Sequence, residues 1–154
     1  MHPADSPTPT VEEALHTTIE IPFEDAVPFV QLEHEFAGFE TVSVTRLDEF
    51  IEAVLGESVA RTALIVVCHA EIAKQALSID PTLAGLLPCT TVVYERPDEM
   101  ATHVYHASTT KAIRDLGCAP SECRAEVEAL VDMTGEVMND VWENIESQAD
   151  AVTS

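Results

Sequence analysis

Positive charge is scarce in this chain. Seven Lys and Arg stand against 28 Asp and Glu, for a formal net charge of -21. Such a field repels phosphate backbones and anionic headgroups, which excludes nucleic acid and membrane surfaces as partners. The chain also has no run approaching the roughly 20 apolar residues of a membrane span. Its start, MHPADSPTPT, has neither the basic opening nor the apolar stretch of a secretory signal, so a cytoplasmic setting is expected. Glycine is rare, and no P-loop, G-x-G-x-x-G, G-x-S-x-G or H-E-x-x-H pattern occurs. The phosphate cradles, dinucleotide turns, nucleophile elbows and zincin helices that need those spacings are therefore missing. Carboxylates are so abundant that no pair stands out as an acid/base dyad, and no catalytic residue can be named.

What the chain does have is an ordinary core. Apolar residues make up 46% of the sequence and fall in periodic patterns, where a disordered chain would have low hydrophobicity. Its 154 residues suffice for one domain without staples. A normal core under a carboxylate shell poor in lysine resembles the proteins of a salt-loving archaeon's cytosol, where strong salt screens the self-repulsion. Four cysteines in such a compartment point to free thiols, metal ligands or redox groups rather than structural disulfides.

Pro3, Pro7 and Pro9 make residues 1–10 a disordered lead. Leu15, Ile19 and Ile21 alternate as a strand from Ala14 to Ile21. Phe23 to Ala37 reads as a helix, with Glu24 and Asp25 where its dipole favours anions, and Gly38 ends it. Phe39 to Arg46 is a second strand with Val42 and Val44 on one side, and a short helix with Leu47, Phe50, Ile51, Val54 and Leu55 follows to Gly56. Leu64 to Val67 is continuously apolar, as in a strand covered on both faces. A helix over Ala70–Leu77, a turn from Asp80-Pro81 to Leu87, and a strand over Cys89–Glu95 come next. Met100–Ala107 is predicted to run antiparallel to that strand, and Thr109–Leu116 is helical. Ser121 is placed to cap a long amphipathic helix reaching about Ser147, and residues 148–154 should fray. The order predicts an α+β fold: a single, mostly antiparallel sheet with helices on one face, spanning residues 11–117, and a C-terminal helix over 118–147 packed on the same domain. The sheet's second face then needs a cover, which a homodimer would supply.

Cys68-His69, Ala73, Ala76-Leu77, Asp80-Pro81, Leu83, Leu86-Leu87-Pro88-Cys89 and Val92-Val93-Tyr94-Glu95 together resemble the domain of unknown function 302 family, over roughly residues 14 to 115. The resemblance implies a TBP-like β-α-β sheet with helices on one face, often dimeric, and implies no activity. His69 stands where the family commonly has Asn. The helix after Gly117, with Cys118 and Cys123, lies outside the usual pattern.

Cys68 and Cys89 sit at strand ends on either side of the Ala70–Leu87 connection, where two thiols could approach each other at one sheet edge. With His69 they form a candidate thiol or ligand site for redox exchange, sulfur transfer or a soft metal ion. The plainer reading packs each cysteine as a small hydrophobe. His103 and His106 are three apart on one strand and so point to opposite faces. His103 could complete a mixed nitrogen and sulfur metal site with Cys68 and Cys89, or be an ordinary satisfied histidine. His2, His16 and His34 carry no signal. Cys118 and Cys123 bracket the start of the last helix as a local pair or as packed cysteines. These residues leave a non-catalytic homodimeric module for a small ligand or protein partner, a thiol-based redox, sulfur-handling or soft-metal protein, and an enzyme of unrecognised type.

Overall fold

Burial alternates strictly along Thr62–Val67, and that alternation defines the two faces of the sheet. In the computed structural model, which describes residues 14–153, the elements are β1 (Ala14–Ile19), α1 (Phe23–Phe36), β2 (Phe39–Arg46), α2 (Leu47–Leu55), β3 (Thr62–His69) and α3 (Ala70–Ile79), then a 3-10 turn (Pro81–Leu86). They continue as β4 (Cys89–Glu95), β5 (Thr102–Ala107), α4 (Thr109–Leu116), a 3-10 turn (Ser121–Cys123) and α5 (Arg124–Thr153). The proline-rich lead lies outside the described residues. The strands form one sheet in the order β1-β5-β4-β3-β2, and every neighbouring pair is antiparallel. This is the α+β architecture expected from the pattern of elements.

One face is closed. Ala63, Ile65 and Val67 of β3 lie beside Val93, Thr91 and Cys89 of β4, and next to these come Val104 and His106 of β5. α1 lays Phe23, Ala26 and Val30 on this surface, and α5 adds Met138, Val141, Trp142, Ile145 and Ala149. A second core of Ile72, Ala76, Leu83, Ile113, Leu130 and Val131 ties α3 and α4 to the first half of α5. Full burial of each large side chain contributes roughly 1.5–3 kcal/mol, so α5 is bound along its length by two apolar clusters.

The opposite face is open. Leu64 and Val66 are only half-buried, although their run of apolar residues suggests a strand covered on both sides. The physical reason is the antiparallel topology, which brings no crossover helix onto the second face. A register shift between Thr41 and Ser43 leaves Val42 as the extra residue of a bulge on the edge strand β2.

Two further boundaries differ from the sequence reading. Ser121 does not cap the last helix with its side chain; a 3-10 turn preceded by Pro120 leads into it instead. α5 then carries on past Ser147 to Thr153, because Ala149 follows Ile145 by one turn and extends the buried stripe towards β1. Gly38 ends α1 with φ +101°, and a Cβ there would sit 3.1 Å from His69 Nε2, so both backbone and space call for glycine. No helix among the described residues is long and apolar enough to cross a membrane.

Candidate functional site

The register that pairs Val67 with Cys89 puts Cys89 on the closed face. Cys68, one residue further on, faces the other way. The two thiols do not share a surface. Cys89 is buried, with Sγ 3.4 Å from Thr109 Oγ1, and burial pushes its thiol up, away from the reactive thiolate. Cys68 is half-buried on the open face. His69 occupies the cap position before α3 without making a side-chain cap bond, and its ring stands edge-on to Phe39 at 5.2 Å. Its Nδ1 is buried without a partner.

His103 lies opposite Tyr94. Tyr94 is five residues along β4 from Cys89, roughly 16 Å at strand spacing. Cys68, Cys89 and His103 therefore cannot ligate one ion. Among the described residues no group of three or more His, Cys, Asp or Glu is placed to hold a metal. Cys118 is exposed and Cys123 half-buried, both free. In native reduced protein Cys68 should alkylate at least about tenfold faster than Cys89. Mass spectrometry of labelled peptides checks this, and equal rates would show that Cys89 is open to solvent.

The structure assembles polar groups elsewhere, one set on each face. Under α5, His34 Nδ1 donates to the Val30 carbonyl at 2.8 Å, which leaves its Nε2 to accept from Thr91 Oγ1 at 2.9 Å. Thr91 Oγ1 in turn accepts from His106 Nδ1 at 3.1 Å. One carbonyl thus fixes both tautomers in a buried chain. His106 Nε2 and Trp142 Nε1 end it without partners, with their ring centroids 6.4 Å apart.

On the open face, Glu99 Oε1 accepts from His103 Nε2 at 2.7 Å, and His103 Nδ1 lies 3.0 Å from His16 Nε2. Tyr94 stacks on His103 with 4.8 Å between centroids and 15° between planes. The Arg96 guanidinium lies over the Tyr94 ring, 5.3 Å from its centroid. The strand residues facing this way on β3, β4 and β5 are Thr62, Leu64, Val66, Cys68, Thr90, Val92, Tyr94, His103, Tyr105 and Ala107, and none is a carboxylate. His103 thus has partners that the sequence did not offer. His16 was missed because only the β1–β5 pairing brings it to His103. Glu99 was lost among the 28 carboxylates.

A five-stranded antiparallel sheet closed on one face by helices and open on the other defines the class: a two-layered α+β domain. Residues 15–141 match the family model described as domain of unknown function DUF302, and the chain belongs to that family. It is similar to a solved structure, the crystal structure of an uncharacterized conserved protein DUF302 from Bacillus stearothermophilus, with a TM-score of 0.70 at 14% identity over 84% of this chain and 95% of that one. At that identity the likeness speaks for the fold alone. No curated protein matches the chain.

Proposed function

We propose that the protein is a homodimeric small-ligand-binding module of a salt-rich cytoplasm, with the open sheet face as its ligand surface. The observation that carries this reading is an apolar stripe along the middle strands, with carboxylates only at its margins, Glu99 on His103 and Glu40 opposite Cys68. A chain of net charge -21 leaves two surfaces apolar. One is the open face, where Leu64, Val66, Val92, Tyr94 and Tyr105 stay half-buried. The other joins α2 to the edge strand, where Phe50, Val54 and Leu55 are 59%, 64% and 63% exposed and Val42 and Val44 are also in solvent.

No residue of α2 is buried. A second copy is the occupant that fits there. An edge strand related to itself by a two-fold axis runs antiparallel to its own copy and removes the open edge, and the apolar stripe of α2 is equally neutral on both copies. A cationic partner would gain more on the acidic surface than on this one. Cys89 is buried with its thiol pushed up while Cys68 faces the open side, which weighs against the paired-thiol alternative.

Light scattering in concentrated KCl tests the assembly. The wild-type chain should give twice the monomer mass, and Phe50→Asp with Val54→Asp should return it to the monomer with its circular dichroism unchanged. A wild-type monomer at every concentration would sink the dimer.

A further inference from the structure

The line Glu99–His103–His16 fixes one more property. A carboxylate can only accept, so His103 carries its proton on Nε2, 2.7 Å from Glu99. Neutral His103 then has a bare Nδ1, and His16 must donate to it from Nε2 at 3.0 Å. That leaves His16 Nδ1 as a free lone pair. The His16 and His103 centroids are 5.3 Å apart, exceeding the nitrogen–nitrogen distance by about two ring radii, so the bonded nitrogens lie between the centroids and the rings meet edge to edge. His103 itself is held in place, 7% exposed and stacked on Tyr94.

We propose that His16 is a nucleophile, activated by His103 and Glu99, that accepts an acyl or phosphoryl group from a small anionic donor held by Arg96. The arrangement follows the logic of a nucleophile bonded to a base that a third group orients. When Nδ1 attacks the electrophilic carbon or phosphorus, the bond to nitrogen forms and the bond to the leaving oxygen breaks, and the leaving group departs with its electron pair. The proton on His16 Nε2 passes to His103 Nδ1. The modified ring is then neutral, and the new positive charge rests on the imidazole that Glu99 holds.

Three further observations fit. His16 is exposed, so a donor can reach it. Burial, His103 and Arg96 all lower its affinity for a proton, which keeps the lone pair available at neutral pH. No carboxylate pairs with Arg96 among the described residues, while Arg46, Arg61 and Arg114 are each engaged by acids. The assignment rests on the open face being the ligand surface and is independent of the dimer, so labelling and light scattering fail separately.

Diethyl pyrocarbonate, a neutral acyl donor, and acetyl phosphate, an anionic one, test it on the full chain by peptide mass spectrometry. His16 should acylate faster than the same residue in the unfolded chain. Glu99→Gln keeps a hydrogen-bond acceptor at an exposed position but removes its charge; it should slow both reagents about tenfold, less than the roughly hundredfold that loss of the base itself would bring. Arg96→Gln should slow acetyl phosphate alone, and the mass added to His16 tells acyl from phosphoryl transfer. Unchanged rates and an unchanged pH–rate profile in Glu99→Gln would overturn the relay. No modification by acetyl phosphate, or equal slowing of both reagents in Arg96→Gln, would overturn the anionic donor.

Discussion

Phe23→Ala should destabilise the protein by about 3–5 kcal/mol, a large share of the stability of a domain this size. Phe23 opens α1, is completely buried, and belongs to the main core between sheet and helices. Its ring also carries charge. The Arg46 guanidinium lies 4.8 Å from the ring centroid and that of Arg61 5.1 Å. Two of the chain's seven cations thus stand on one ring, and carboxylates offset their mutual repulsion. Arg46 binds Asp48 at 2.9 Å and Glu24 at 3.2 Å, and Arg61 binds Glu95 at 2.7 Å and reaches Glu24 at 3.4 Å. Asp48 also accepts from the Thr62 amide, and the Arg46 bond holds its carboxyl below the usual range. Removing the ring opens a cavity and takes the platform from under both arginines. Phe23→Leu separates these effects, since it keeps much of the apolar volume and loses the π face. It should cost clearly less than Phe23→Ala, since most of the apolar volume stays while both cation–π contacts are lost. Urea melts give both numbers; guanidinium chloride would screen the ion pairs under test. A cost below about 1 kcal/mol for Phe23→Ala would mean that the core closes over the gap.

The same ring shows what could be read from sequence and what could not. Phe23 was legible as the start of a helix because Glu24 and Asp25 follow it and Gly38 closes the span. Most other elements were legible for similar local reasons: an alternation, a stop at Gly56 or Gly117, a turn at Asp80-Pro81. Arg46 and Arg61 are far from Phe23 in sequence, and nothing local says that they share its ring. The site follows the same division. That His103 and His106 face opposite ways follows from strand geometry, and the structure has them so, one bonded to Glu99 and the other to Thr91. The Cys68–Cys89 pair turns on one residue of register: Val67, not Cys68, lies opposite Cys89. Burial and, at close range, Cys68 push the Cys89 thiol up, but the two thiols leave the sheet on opposite faces. A one-residue offset moves a side chain to the other face, and no pattern within a single strand reports its neighbour's register. His34 illustrates the same limit from inside the core. It carries no signal as a helical histidine, and its meaning lies in Thr91, 57 residues away.

Lowering the pH from 7 to 4 should remove about 3 kcal/mol of stability through His106 alone. Burial, reinforced by His34, pushes its pKa down from 6.5 to about 4. Burial also lowers that of His34. In the unfolded chain both regain an ordinary value, so between 6.5 and 4 the unfolded state binds more protons and stability rises with pH. The contribution is complete above 6.5, declines through the window, and is fully lost below 4; the shift of 2.5 units, 6.5 minus 4, converts to about 3 kcal/mol at 1.36 kcal/mol per unit. The hydrogen-bond chain supplies the mechanism. His106 already donates from Nδ1 to Thr91, so its added proton goes to Nε2, buried beside the Trp142 N–H with no acceptor. A proton on His34 Nε2 would in turn take from the Thr91 hydroxyl the acceptor it had. Acid also neutralises surface carboxylates, which relieves the repulsion of a chain with net charge -21 and opposes the loss. His106→Phe isolates the buried term, because phenylalanine has no proton to gain while every surface carboxylate remains. Urea melts of both proteins across this window, in concentrated KCl, should show the wild type losing stability more steeply than the variant. Parallel pH profiles would mean that His106 keeps solvent contact in the folded protein and that the space between it and Trp142 opens to water.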